Sequence, residues 1–327
     1  ALMPVYFLSA GLRTTWGAGG MSVFGVAALL LVASVGGKLI GVGLAGRSRK
    51  WEKGEAGIMG WMLQTKGLVM GYFDGNTVTA MWNYAQRYAL NDNSYGSTFG
   101  PSTLGAIELV SGQTNGVTDK VNAGNTVIEG GDGTFTEIGD GDSIGDVCSV
   151  PSGAMLHFTG NNIGIMLTKS NVTWGWFEGG FDLTKKNPNG TTGCRRSTYS
   201  KVVRTTDLDY SPHHEPFQYY KETANLQHVR PTSVQMIGHD GDAANHQYDT
   251  DDFFDAVKAG NFPAVSFLKA PAYQDGHAGN SDPLDEQAFV VKVINFLQKQ
   301  RDWKDTAVVL AYDDSDGWYD HQMGPIV

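Results

Sequence analysis

Three kinds of side chain in this sequence stand where they could do chemistry: a pair of adjacent aspartates, a serine behind a Gly-Pro turn, and histidines in loops. The aspartates are Asp313 and Asp314, in the stretch DTAVVLAYDDSDGWYDH. Neighbouring carboxylates repel, so the pair either lies in water as an Asx-type turn or is held together by a cation. Ser102 follows Gly100-Pro101 in NSYGSTFGPSTLGAIELVSGQTNG, at the predicted start of a helix through Leu104, Ile107 and Leu109. A serine there commonly caps the helix. The same place offers free N–H groups and the positive end of the helix dipole, which lower the cost of an alkoxide and hold phosphate oxygens. His213 and His214 adjoin in SPHHEPFQYY, and adjacent side chains rarely both enter a core, so at least one is expected to face solvent or a site. His277 lies in the Gly-rich loop APAYQDGHAGNSDP, where a lone histidine is by default a surface residue. Taken together, an alcohol, two acids and three imidazoles suit metal-assisted transfer of an anionic group. Oxygen donors favour a hard divalent cation, calcium or magnesium.

The elements that must carry these groups read as alternating helices and strands from about Phe73 onward, an α/β pattern. Ala307–Tyr312 is apolar without alternation, as expected of a strand buried on both faces of a parallel sheet, and ligands gather beyond the carboxyl ends of such strands. NTVTAMWNYAQRYAL is predicted helical, with Val78, Met81, Trp82, Ala85 and Leu90 toward one side. NIGIMLTKSNVTWGWFEGGF reads as a helix followed by a strand with core aromatics, and PAVSFLKAP as a strand. DTDDFFDAVKAGNF is a short helix with an Asp-rich first turn. DPLDEQAFVVKVINFLQKQRDW is a longer one, with Asp282 as its cap and Pro283 at the first helical position. The loops EGGDGTF and GDGDSIGD fail the EF-hand spacing and read as surface turns. Lys185, Lys186, Arg195 and Arg196 read as a solvated face.

Composition bounds the rest. With 41% hydrophobic and 18% charged residues over 327 positions, the chain is globular or partly membrane-associated. A net charge of -10 argues against a general nucleic-acid surface. Cys148 and Cys194 are too few for a disulfide scaffold; in an oxidising compartment they form one bridge, and otherwise stay thiols. Thr14–Gly37 contains no Lys, Arg, Asp or Glu, and its length approaches the ~20 residues of a membrane-crossing helix. The cluster Arg47, Arg49, Lys50 and Lys53 follows, on the side that the positive-inside rule makes cytoplasmic. The phrases LMPVYFLSAGLRTTW and GIMGWMLQTKGLVM resemble the monovalent cation–proton antiporter family over about residues 1–70, without the intramembrane acids such transport needs.

A second resemblance covers about residues 73–327. NTVTAMWNYAQRYALNDNSYGSTFGPSTLGAIELVSGQTNG, VTWGWFEGGFDLT, SPHHEPFQYYKETAN, NHQYDTDDFF and AYDDSDGWYDH resemble the bacterial phosphoesterase family that contains non-haemolytic phospholipases C and acid phosphatases. That resemblance implies an alkaline-phosphatase-like three-layer sandwich with a mostly parallel sheet. It implies Ser102 as the nucleophile that forms a phosphoseryl intermediate, and Asp313, Asp314 and Ser102 as ligands of a divalent metal. It also implies His213, His214 and His277 as the histidines lining the phosphate site, one of them protonating the leaving group. The substrate would be a phosphomonoester or a phospholipid, the optimum mildly acidic, and the location secreted or periplasmic. The family's leading strand, ending in a Glu-Asn pair of metal ligands, has no counterpart here, and the family continues past the acidic loop. The expectation is therefore a membrane-like segment (1–72) joined to a phosphoesterase domain (73–327) whose sheet is incomplete at both ends. The alternative is an antiporter fragment carrying an inactive phosphoesterase remnant.

Overall fold

In the computed structural model the described residues are 73–91, 94–96 and 100–314, and all belong to one unit. The chain runs through α1 (Thr79–Arg87), α2 (Ser102–Ser111), β1 (Asn115–Val121), β2 (Val127–Glu129), β3 (Phe135–Glu137), β4 (Asp142–Ser143) and β5 (Met155–Phe158). It continues with α3 (Ile163–Lys169), β6 (Trp174–Glu178), β7 (Ser197–Tyr199), β8 (Thr206–Leu208), β9 (Gln247–Asp249), α4 (Thr250–Lys258), β10 (Val265–Lys269) and α5 (Pro283–Leu297). The apolar segment 14–37, the antiporter-like stretch 1–70 and the residues beyond Asp314 lie outside the described residues. Among those described, no helix is long and apolar enough to cross a membrane.

Parallel strands in the order β10-β6-β9 form the centre. Every residue of β6 is buried, which is why its sequence shows three aromatics in five positions rather than polar alternation. Trp174 and Trp176 pack with Ile107, Val110 and Phe217 on one face. Phe177 packs with Tyr248, Phe253, Phe289 and Val293 on the other. Helices α2 and α3 thus cover one side, and α4 and α5 the other. Gly164 lets α3 approach: a Cβ there would stand 2.4 Å from the Trp174 ring.

The cap expected at Asp282 is present, and α4 has one that was not expected. Asp249 begins α4 with a capping box completed by Asp252, and the Asp282 side chain accepts from Leu284 N ahead of Pro283. The expectation of a mostly parallel sheet holds for the central strands only. A larger five-stranded sheet, β2-β3-β1-β5-β4, is antiparallel except for the β4–β5 pair.

Two predicted elements differ. Residues 307–312 form no strand and enter no ladder, and Val309 is 85% exposed. An apolar run becomes a buried strand only where neighbours supply backbone partners and cover, and no described strand flanks it. Helix α1 forms, but none of its residues is buried, and Trp82 and Leu90 face outward. It is tied down at its start instead, where Gln287 of α5 bonds Ala80 N and Thr77 O.

Candidate active site

Helix α2 begins one residue earlier than a serine cap would require. Pro101 occupies the cap position with extended ψ, and Ser102 is the first helical residue, so the hydroxyl does not cap. Leu104 and Ile107 are buried, whereas Leu109 is exposed. The capping work falls to Asp140, which accepts from Thr103 N at 3.2 Å and Thr103 Oγ1 at 2.8 Å. A carboxylate there also suits the helix dipole. One N–H group that the sequence left free for phosphate is therefore taken.

Released from capping, Ser102 Oγ donates to Asp314 Oδ2 at 2.9 Å. Ser102 is buried. The two aspartates divide their partners: Asp313 Oδ2 accepts from Lys269 Nζ at 2.9 Å, and Asp313 Oδ1 accepts from Asp314 N at 3.1 Å. Gly105 makes this approach feasible, because a Cβ at that position would lie 2.0 Å from the Asp313 carbonyl oxygen. The acid pair is pressed directly onto the first turn of α2.

Lys269 ends β10 and lies beside Glu178, the last residue of β6, which in turn pairs with Asp249 at the end of β9. This is the carboxyl edge of the parallel sheet, where ligands of α/β folds collect. Glu178 is buried and accepts from Trp176 Nε1 at 3.2 Å and Ser211 N at 3.4 Å. Its other neighbour is the buried Glu215. Burial pushes both acids above the usual carboxylate range, and the Glu178 charge pushes Glu215 further. Neither Glu215 oxygen meets a hydrogen-bond donor, so the protonated form of this acid is favoured.

The adjacent histidines have opposite electrostatics. Burial works against charge on His213, but the Asp142 carboxylate 3.5 Å away, with Asp140 and Glu178, holds its pKa above the ordinary histidine value. His214 is buried, and burial together with the charges of Lys269, His213 and His277 holds it well below that value. His213 therefore favours the imidazolium and His214 the neutral ring, which narrows the expectation that the histidines must be charged. The turn carrying them, Pro212–His214, packs against α2. His277 is half-buried, with Nδ1 accepting from Gly279 N at 2.9 Å, and its charge acts on His214.

The structure brings part of this set together. Ser102 meets Asp314, whose neighbour Asp313 meets Lys269, and the charges of Lys269, His213 and His277 bear on His214. Sequence reasoning missed Lys269, Glu178 and Glu215. Lys269 and Glu178 carried the signal of a charged residue ending an apolar strand, and Glu215 follows directly on His213 and His214.

The donor set fits a hard divalent cation. Ser102 Oγ and the two carboxylates offer only oxygen, and a carboxylate oxygen that accepts one hydrogen bond keeps a second lone pair. Another group, Asp146, Cys148 and His228, has ligand atoms within 4.8 Å of one another. It fits a metal poorly. Cys148 is bonded to Cys194 in a disulfide, which decides between the bridge and the free thiols. Asp146 accepts from Tyr210, Gln218 and Cys148 N, and the His228 nitrogens face Asp146 and the Phe181 carbonyl. That cluster is a buried hydrogen-bond hub.

Two surface expectations are also corrected. In GDGDSIGD, Ser143 and Asp146 are buried, and Glu137 just before it is fully buried. Burial, with the nearby Asp140 charge, pushes Glu137 up to about 9. Arg196 is buried between Asp209 and Asp249, and Lys185 pairs with Asp249 and Asp251, so neither is simply solvated.

The fold is a mixed α/β one in which an alcohol at a helix start, Ser102, is bonded to the acid Asp314. The chain belongs to the Phosphoesterase family, whose model matches residues 45–327. That match takes in residues 45–70, which the sequence reading gave to an antiporter-like segment. The chain is also similar to the non-hemolytic phospholipase C of Pseudomonas aeruginosa, 33% identical over 70 residues. The alignment spans 21% of this chain and 10% of that protein.

Proposed function

We propose that this chain hydrolyses phosphoric esters, with Ser102 as nucleophile, on a scaffold of the alkaline-phosphatase-like three-layer type. The observation that carries the reading is the 2.9 Å contact between Ser102 Oγ and Asp314 Oδ2, which ties the family's chemistry to a specific alcohol and acid. Asp314 takes the Ser102 proton as the Oγ–P bond forms and the P–O bond to the alcohol breaks. His213, favoured in its charged form by Asp142, gives a proton to the departing alkoxide. Water then hydrolyses the phosphoseryl group and restores Ser102. Asp313, Asp314 and Ser102 would hold a divalent cation, calcium or magnesium, which would supply charge neutralisation at the phosphoryl oxygens. His214 and His277 line the same site and orient the ester.

The substrate is a phosphomonoester or the phosphodiester of a phospholipid head group. The disulfide Cys148–Cys194 supports a secreted or periplasmic location. The test is hydrolysis of p-nitrophenyl phosphate and of phosphatidylcholine vesicles, with and without chelator. Turnover of at least one, restored by calcium or magnesium and lost in Ser102→Ala, is the expected result. Undiminished turnover in Ser102→Ala would overturn the reading.

A further inference from the structure

We propose that Lys269 is a positioning residue of this site, clamping Asp313 so that Asp314 is left to serve Ser102. The inference rests on the hydrolytic reading above and adds a residue to it. Lys269 is the last residue of β10, and Phe267, two positions earlier, packs in the core layer beneath α2. Side chains two apart on a strand share a face, so Lys269 is directed toward α2. Its ammonium donates to Asp313 Oδ2 at 2.9 Å, with its side chain only 20% exposed. Asp313 Oδ1 is held by Asp314 N at 3.1 Å, so both oxygens of this carboxylate are fixed by the protein.

The consequence is electrostatic and geometric. Two neighbouring carboxylates pressed onto a helix repel each other, and either could turn toward Ser102. An ammonium on one of them cancels most of that repulsion and breaks the symmetry of the pair. Glu178, opposite Lys269 in the ladder, and Asp275 also face the buried ammonium. Lys269 therefore acts on the reacting alcohol through Asp313 and Asp314. A partner that orients a ligand carboxylate in this way is commonly worth about 10–100-fold in metal affinity or activity.

The experiment compares Lys269→Met, which keeps the length of the side chain, with Lys269→Arg, which keeps the charge. Lys269→Met should lower kcat for p-nitrophenyl phosphate about 10–100-fold with KM unchanged, and Lys269→Arg should retain more turnover than Lys269→Met. Wild-type kcat in Lys269→Met, or a loss carried by KM alone, would overturn the proposal. A second readout needs no catalysis: urea unfolding in chelator of Lys269→Met, Asp313→Asn and the double variant. Asp313→Asn should cost less stability in the Lys269→Met background than in the wild type, because the contact is already gone. Independent, additive effects would overturn the clamp. A wild-type chain that hydrolyses no ester yet shows this coupling would defeat the hydrolase reading while supporting the contact; turnover without coupling would do the reverse.

Discussion

Ser102 donates its hydroxyl hydrogen to Asp314 across 2.9 Å, although 212 positions separate them in the chain. A helix start and the acid pair meet there because one residue between them, Gly105, has no side chain.

Gly105→Ala tests that approach. The added methyl would stand 2.0 Å from the Asp313 carbonyl oxygen, so the acid pair must move off α2. Overpacking of this kind costs about 1–3 kcal/mol, partly offset by the better helix propensity of alanine, up to about 1 kcal/mol. Turnover should therefore fall by more than the stability loss, measured by urea unfolding, accounts for. A variant with wild-type turnover would show that the close approach does not matter.

Asp142→Asn tests the assignment of the leaving-group acid. Asp142 is the main influence holding His213 above the ordinary histidine value, against burial. A general acid works while protonated, so activity declines as pH rises through its pKa. Removing the carboxylate should move the alkaline limb of the kcat profile to lower pH. His214→Asn should leave that limb in place, because His214 is held neutral by burial and by Lys269. An alkaline limb that stays put in Asp142→Asn would exclude His213 from the role.

Much of this architecture was legible in the chain, and the failures share physical causes. Strands β6 and β10 announce themselves as apolar runs, α4 by its Asp-rich first turn and α5 by Asp282 and Pro283, because capping and burial are local demands. The five-stranded sheet was not read, since β1 exposes four of its seven residues and its other strands are short, so no alternation marks them. Glycine-rich acidic stretches usually lie in water, and Glu137 is buried against that pattern by the fold around it. Ser102, Asp313, Asp314, His213, His214 and His277 could be named from their types and neighbours. Lys269 could not, because an isolated charge at the end of a strand acquires meaning only when the sheet sets it beside Asp313.

Glu137→Gln addresses the buried acid near the start of α2. Both carboxylate oxygens lack partners, and burial, reinforced by Asp140, raises the group from 4.5 to about 9. A carboxyl raised on folding binds its proton more tightly in the native state, so its contribution is complete below 4.5 and is lost as pH rises through about 9. Across that window the wild type should lose up to about 1.4 kcal/mol of stability per pH unit from this group. Glu137→Gln should flatten the dependence, as read by urea unfolding at about pH 6 and about pH 8. Equal slopes in the two proteins would show that Glu137 ionises freely in the fold.

Reduction of Cys148–Cys194 should destabilise the described unit. The bridge joins positions 46 apart, for which chain entropy gives about 4 kcal/mol. It also anchors the loop in which Cys148 N donates to Asp146. A Cys148→Ser/Cys194→Ser variant should melt at a lower temperature than the oxidised wild type and no differently from the reduced one. An unchanged midpoint would mean that the bridge constrains nothing.

The most direct test is to look for the phosphoryl group itself. Wild-type protein mixed with p-nitrophenyl phosphate and divalent cation, quenched in acid and digested, should yield by mass spectrometry a phosphorylated peptide carrying the modification on Ser102. Ester hydrolysis that leaves Ser102 unmodified in every quench, and continues in Ser102→Ala, would contradict the account.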